Sequence, residues 1–202
     1  QVFRQHGHAQ VSILGHPLHT VRDTPGFDTR SGYVFLGAMP EDNTPNTDSV
    51  LWFVNEVWPQ IVAAAGSSAR LLLVGLCEAP SVLALRGRRL TVLGSVDAVA
   101  PYLDQARVFI VPTRYAAGIP HKAHEAAARG LPMVTTPLIA RQLGWQDIVH
   151  VGADAASFAA GCLQLHDDAQ RWQHMRQQLW SAVERDCAPA AFRDALHAAI
   201  TA

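Results

Sequence analysis

Short apolar runs recur along the chain and alternate with stretches of helical period. Tyr33–Leu36, Arg70–Gly75, Leu90–Leu93, Val108–Val111, Met133–Thr135 and Ile148–Val151 read as strands. Each is a continuous apolar run rather than an apolar/polar alternation, the mark of strands covered on both faces. Between them lie helical patterns. The first is capped near Thr47 or Asp48 and carries a wide stripe of Val50, Val54, Val57 and Ile61 beside Leu51, Phe53, Trp58 and Val62, with Pro59 expected to bend it. Further helices are expected at Ser81–Leu85, Asp97–Ala106, His121–Arg129 and Ile139–Leu143. A helical tail follows: Ala156–His166, then Asp168–Arg185 with Trp172, Met175, Leu179 and Val183 on one face. After Pro189 comes a last helix with Phe192, Leu196 and Ile200 expected inward. Ahead of Tyr33 the pattern is weaker: Val11–Leu14 reads as a short strand broken by Gly15-His16-Pro17, and Asp23–Gly32 as a connecting loop.

Strands alternating with helices define the fold class as α/β: a Rossmann-like, doubly wound parallel sheet of about six strands, with helices on both faces and a helical C-terminal tail. Residues 1–32 read as an interdomain hinge or connecting segment, and residues 33–202 as the domain. The common order 3-2-1-4-5-6 makes the first and fourth strands neighbours, and ligands of such sheets bind where the order reverses. Gly37-Ala38-Met39, after the first strand, and Arg114 to Glu125, after the fourth, are therefore expected to face each other across one crevice.

The second of these stretches carries the strongest local signal. Val108–Val111 runs into Pro112, and Ala116-Ala117-Gly118 forms a small-residue turn. Pro120 suits the first turn of a helix, Gly130 its C′ position, and Pro132 lies just beyond. Strand, Gly-containing turn and helix N-terminus together make an anion site of free amides and positive dipole. Lys122 and Glu125 share one face of the first turn, a cation for phosphate and a carboxylate for sugar hydroxyls.

Composition sharpens this assignment. The 202 residues hold fifteen arginines and one lysine, Lys122. A chain so biased toward Arg that keeps one lysine here points to a need for a compact ammonium rather than a planar fork. The alternative is an ordinary solvated helix lysine. Net charge is −1, so no basic field argues for nucleic acid or an anionic membrane. No apolar run approaches the roughly 20 residues of a membrane span. Three cysteines without CxxC spacing fit a reducing compartment, hence a cytoplasmic location. His6, His8, His16 and His19 have spacing that would admit a metal, but no carboxylate or cysteine cluster accompanies them, and no Asp-x-Asp occurs. Neither a metal site nor a cofactor is expected. The chain opens on Gln1 without a signal peptide and reads as a fragment of a longer protein.

At this point the residues resemble a known family. Phe35-Leu36-Gly37-Ala38-Met39, Pro45 to Phe53 and Glu56-Val57-Trp58-Pro59 are similar to the opening of the C-terminal half of GT-B glycosyltransferases of family 4, the group 1 type. Leu72 to Gly75, Val92 to Val96 with Pro101-Tyr102-Leu103, and Gly118-x-x-x-Lys122-x-x-Glu125-Ala126-x-x-x-Gly130-x-Pro132 continue the likeness in order. The resemblance implies metal-independent, retaining transfer from a nucleoside-diphosphate sugar. It implies that Glu125 takes the ribose hydroxyls and the backbone at Ser95 and Val96 the base. The loop at Gly37, Ala38 and Met39 and the turn at Gly118 and Ile119, flanked by Arg114 and His121, would meet the diphosphate. Lys122 is then the catalytic candidate. Many relatives carry a second glutamate, against the transferred sugar, eight residues before the position of Glu125; here that position is Ala117.

The resemblance also implies partners: a nucleotide sugar here, and an acceptor glycan, lipid or protein held by an N-terminal half outside this chain, with Gly15-His16-Pro17 at the hinge. Two other readings stand beside it. One is a non-catalytic Rossmann-like module for a nucleotide or a protein. The other is half of a sugar-nucleotide epimerase, against which the Gly37 and Lys122 motifs argue.

Overall fold

The computed structural model describes residues 6–7, 15–87, 89–116 and 118–201. Strands β1 (Tyr33–Leu36), β2 (Leu71–Val74), β3 (Leu90–Gly94), β4 (Val108–Val111), β5 (Met133–Thr135) and β6 (His150–Val151) form one sheet in the order β3-β2-β1-β4-β5-β6. Every neighbouring pair is parallel. The order is the expected one, and its reversal falls between β1 and β4. Right-handed crossovers that step one way from β1 and the other way from β4 place their helices on opposite faces. That is why β1, β4 and β5 are almost wholly buried. The strand expected at Val11–Leu14 lies outside the described residues.

Helix α1 (Pro45–Trp52) starts earlier than the pattern suggested. Thr44, not Thr47 or Asp48, is the cap: its hydroxyl accepts the Thr47 N–H at 3.4 Å, and Pro45 takes the first position, where a missing N–H costs nothing. The bend expected at Pro59 takes the form of a π turn, Phe53–Val57, ahead of α2 (Trp58–Ala65). Pro59 has no N–H to return to the preceding turn, and the backbone widens there instead. Helices α3 (Pro80–Leu83), α4 (Ala100–Gln105), α5 (His121–Ala128), α6 (Pro137–Leu143), α7 (Ala155–Asp167), α8 (Ala169–Asp186) and α9 (Pro189–Thr201) follow. Helix α7 is fixed by a capping box between Asp154 and Ser157 and drives Phe158 edge-on into Trp52 and Phe53 at 5.7 and 5.8 Å.

In α8, Trp172, Met175, Leu179 and Val183 are buried as the stripe implied. The last helix departs from expectation. No residue of α9 is buried, and Leu196 and Ile200 are 38% and 73% exposed. Periodicity identifies an apolar face; it does not say whether another element covers it.

Residues 15–32 lie against the domain. The N–H of Leu18 donates to the Cys187 carbonyl at 2.9 Å and that of Val21 to the Ala128 carbonyl at 2.7 Å. Arg176 donates to the Thr24 and Pro25 carbonyls at 2.9 and 2.8 Å. Arg30 is fully buried and donates to the carbonyls of Pro25, Leu103 and Ala106, with Asp104 3.6 Å away and itself paired to Arg129. Removing such a cation strands its acceptors in the interior. Arg30→Ala should therefore lower urea-unfolding stability by about 3–5 kcal/mol. Ile200→Ser, on the uncovered face of α9, should stay within about 0.5 kcal/mol of wild type. Equal losses at both positions would contradict this account of the packing.

Candidate functional site

Strands β1 and β4 pair only through Tyr33↔Val108 and Val34↔Phe109. Beyond that point β1 continues with β2 as far as Leu36↔Val74, and β4 with β5 as far as Val111↔Thr135. The sheet thus parts at its centre toward the C-terminal ends of its strands. Above the parting lies a cleft of about 390 Å³, walled by the first turn of α1, the β4–α5 turn and α6. Asn46, Thr113, Gly118, Ile119, His121 and Lys122 are among its walls.

Lys122 reaches from the first turn of α5 across the parting. Its ammonium donates to the Asn46 carbonyl oxygen at 2.7 Å and lies 4.3 Å from the centroid of the buried Phe35 ring. A ring face and one amide oxygen are weak substitutes for water, and burial pulls this ammonium down from 10.5 to about 8. Asn46 in turn donates its amide N–H to the Ala38 carbonyl at 2.9 Å, linking α5 to the loop after β1. Gly37 permits this approach, since a Cβ there would lie 3.0 Å from Asn46 Cγ. Gly75, at φ +122°, packs on Gly37 so closely that a Cβ would stand 2.4 Å from its carbonyl oxygen. No side chain caps α5, so its N-terminus faces the cleft with only Pro120 ahead of it. Pro120 itself is the residue before the helix, not part of its first turn as expected, because its ψ of 69° is not helical.

The other expected site residues divide into groups. Gly118 (φ +96°), Ile119 and His121 line the cleft, and Gly37 and Ala38 border it through Asn46. Met39 does not reach it: the side chain is fully buried, its N–H donates to Leu76, and its carbonyl accepts from Glu78 and Ala79. The Met39–Cys77 bridge that extends the β1–β2 pairing consumes these groups. Arg114 is exposed and its guanidinium is paired with Asp48 of α1 through Nε at 3.1 Å and a second nitrogen at 2.5 Å. Ser95 and Val96 follow β3, two strands from the parting and outside the lining of the cleft. Glu125 stands half-buried one turn beyond Lys122 and has no hydrogen bond among the described residues. Ala117 lies outside the described residues.

Three participants escaped the sequence reading. Asn46 is the partner of Lys122. Its signal was its place in a helix first turn directly after the loop that leaves β1. His16 puts its ring edge-on to His121 with centroids 4.3 Å apart, and burial, then His121, lowers its pKa. His124 is buried beneath the same turn against Trp145, its Nδ1 unpartnered, and burial holds it neutral with a pKa pushed down to about 4. Among the described residues no group of His, Cys, Asp or Glu is placed to hold a metal ion.

Fold and cleft define a class: a doubly wound α/β domain with an open switch-point crevice of the kind that binds nucleotides. Residues 30–168, well over half of the chain, match the family model described as glycosyl transferases group 1. The chain belongs to that family, as a GT-B-type glycosyltransferase domain. Comparison with curated proteins gave no match. Among solved structures it is similar to Anabaena HepE in complex with UDP and glucose (TM-score 0.67, 11% identity, 87% of this chain and 49% of that one). It is similar to Staphylococcus aureus TarM in complex with Fondaparinux, alpha-GlcNAc-glycerol and UDP (TM-score 0.70, 11% identity, 95% and 38%). It is also similar to WaaG, a glycosyltransferase involved in lipopolysaccharide biosynthesis (TM-score 0.68, 13% identity, 96% and 59%). The chain thus spans between 38% and 59% of the length of these three proteins.

The lowered pKa of Lys122 has a consequence for stability. Below pH 8 the folded and unfolded chains both carry the proton, and the full cost of the desolvated charge is present. Between about 8 and 10.5 the folded chain has released the proton while the unfolded chain retains it, so stability should rise with pH across that window. Lys122→Met removes the group. The stability of wild type relative to Lys122→Met, from urea unfolding at pH 7 and pH 10, should therefore increase at the higher pH. A pH-independent difference would mean the ammonium is solvated.

Proposed function

We propose that this chain is the nucleotide-sugar-binding half of a two-domain glycosyltransferase, which holds a nucleoside-diphosphate sugar in the β1/β4 crevice for retaining transfer to a glycan, lipid or protein acceptor. The observation that carries it is the placement of the lone lysine of the chain. Lys122 stands at an uncapped helix N-terminus, over the parting of β1 and β4, in a cleft with no carboxylate among the described residues of its walls. A diphosphate seated there receives an ammonium and the positive end of the α5 dipole. In this reading those two supply the charge that stabilises the departing nucleoside diphosphate, and no metal takes part. Lys122 is the catalytic group, since its help is greatest as charge develops on the leaving oxygens. Glu125, one turn on, accepts from the ribose hydroxyls, and the backbone at Ser95 and Val96 borders the base. The UDP and UDP-glucose complexes of HepE support the donor class. A second half, joined through Gly15-His16-Pro17, would position the acceptor, and positioning is worth roughly 7–11 kcal/mol of a barrier. A cytoplasmic location accords with free cysteines and with the absence, among the described residues, of a helix long and apolar enough to cross a membrane.

Calorimetry with UDP, GDP, ADP and dTDP tests this. The chain should bind a nucleoside diphosphate, unchanged by EDTA, and transfer no sugar by itself. A charge-assisted hydrogen bond of roughly 1.5–3 kcal/mol makes Lys122→Met about 10- to 150-fold weaker, with Lys122→Arg recovering only part. Glu125→Gln should reduce discrimination between ribose and deoxyribose. Binding that vanishes with EDTA, or a Lys122→Met variant that binds like wild type, overturns the proposal.

A further inference from the structure

We infer that Asn46 is the positioning residue that holds the Lys122 ammonium ready for an anion; the inference rests on the reading of the cleft as a diphosphate site. The hydrogen-bond network fixes the orientation of the Asn46 amide. The Ala38 carbonyl, 2.9 Å away, can only accept, so the amide nitrogen must face it, and the amide oxygen is left to face Lys122 at 2.7 Å. The backbone beneath is pinned as well. Thr44 caps the helix, and the Thr47 hydroxyl donates to the Glu41 carbonyl at 2.8 Å, one residue along from Asn46. Gly37 lets the amide lie flat on the loop, because a Cβ there would meet both Asn46 Cγ and Nδ2 at 3.0 Å.

The chemistry of the side chain fits the task. A lysine stem carries several freely rotating bonds, and an anion that must also order them binds more weakly. An amide oxygen takes one of the three ammonium donors and leaves two for phosphate. Aspartate would hold the ammonium more tightly but cancel the charge that a diphosphate needs, and alanine would leave the stem free. Phe35 closes the remaining side with an aromatic face that attracts a cation without consuming a donor.

The single lysine makes a direct test available, since 13Cε-lysine labelling gives one NMR signal. In the ligand-free chain, the Lys122 Cε should be ordered in wild type and mobile in Asn46→Ala. Asn46→Asp, nearly isosteric, should raise the pH at which that signal titrates. With UDP as probe, Asn46→Ala should weaken binding about tenfold when Lys122 is present and hardly at all in a Lys122→Met background, because coupled residues are not additive. Equal Cε mobility in wild type and Asn46→Ala, or an equal loss of UDP affinity in both backgrounds, would sink the inference and leave Asn46 a structural residue only. Should Asn46→Ala fail to fold, the Asn46→Asp titration decides, and an unshifted pKa counts against the role. If Lys122→Met binds UDP like wild type, it is the diphosphate reading that fails, while the Cε measurements still report whether Asn46 holds the lysine.

Discussion

The site depends on how little of β1 touches β4. Two residue pairs join them, Tyr33↔Val108 and Val34↔Phe109, and then each strand leaves with its outer neighbour. That parting follows from topology: the crossovers run in opposite directions from the two central strands, so no connection lies over the seam between them. Phe35, one residue past the last pair, becomes the floor of the gap, and α1 and α5 bring their first turns to its rim. Gly37 and Gly75 keep the loops after β1 and β2 in close contact.

Two cations in the same domain, one buried and one half-buried, differ in how they are partnered. Arg30 donates to three carbonyls and has the Asp104 carboxylate 3.6 Å away, and it fastens the segment before β1 to α4. Lys122 is held by a neutral amide and a ring and forms no ion pair among the described residues. A buried charge left short of partners destabilises the empty fold and gains most when an anion arrives. The contrast separates a cation partnered by the fold from one that keeps donors free, as the proposed diphosphate site requires.

Much of the arrangement was legible because it rests on local rules. Continuous apolar runs marked the strands, the alternation with helices gave their order, and Gly118, Gly130 and the lone lysine marked the turn, the helix end and the cleft. What was missed is tertiary. Nothing local to Asn46 says that its amide meets Lys122, 76 positions away, nor that Arg114 pairs with Asp48. Met39 sits beside Gly37 in sequence but is spent on the bridge to Cys77. The first helix was entered three residues late because Thr44 and Thr47 both suit a cap, and the Pro45 that separates them decides for Thr44. Leu196 and Ile200 show the limit of periodicity, since amphipathicity records a preference for cover: both are exposed, while Phe192 of the same face is half-buried beside Gly15, His16 and Cys187.

The histidines around α5 explain why one lysine can suffice. His121 lines the cleft, His16 stands edge-on to it, and His124 lies beneath. Were all three charged at neutral pH, they would form a diffuse positive patch in which no single ammonium mattered. Two of them are held back from that charge. Burial holds His124 neutral, and burial with the neighbouring His121 lowers His16. Arg114, ahead of the β4–α5 turn, is matched by the Asp48 carboxylate. Among the described residues that wall the cleft, Lys122 is the only lysine or arginine. The field there is narrow rather than broad, set by one ammonium whose position Asn46 and Phe35 determine. A narrow field selects for where an anion's charge sits, and a broad one only for its presence. Of the two side chains that could carry a permanent cation, the compact one suits a point in space; the planar fork would spread it.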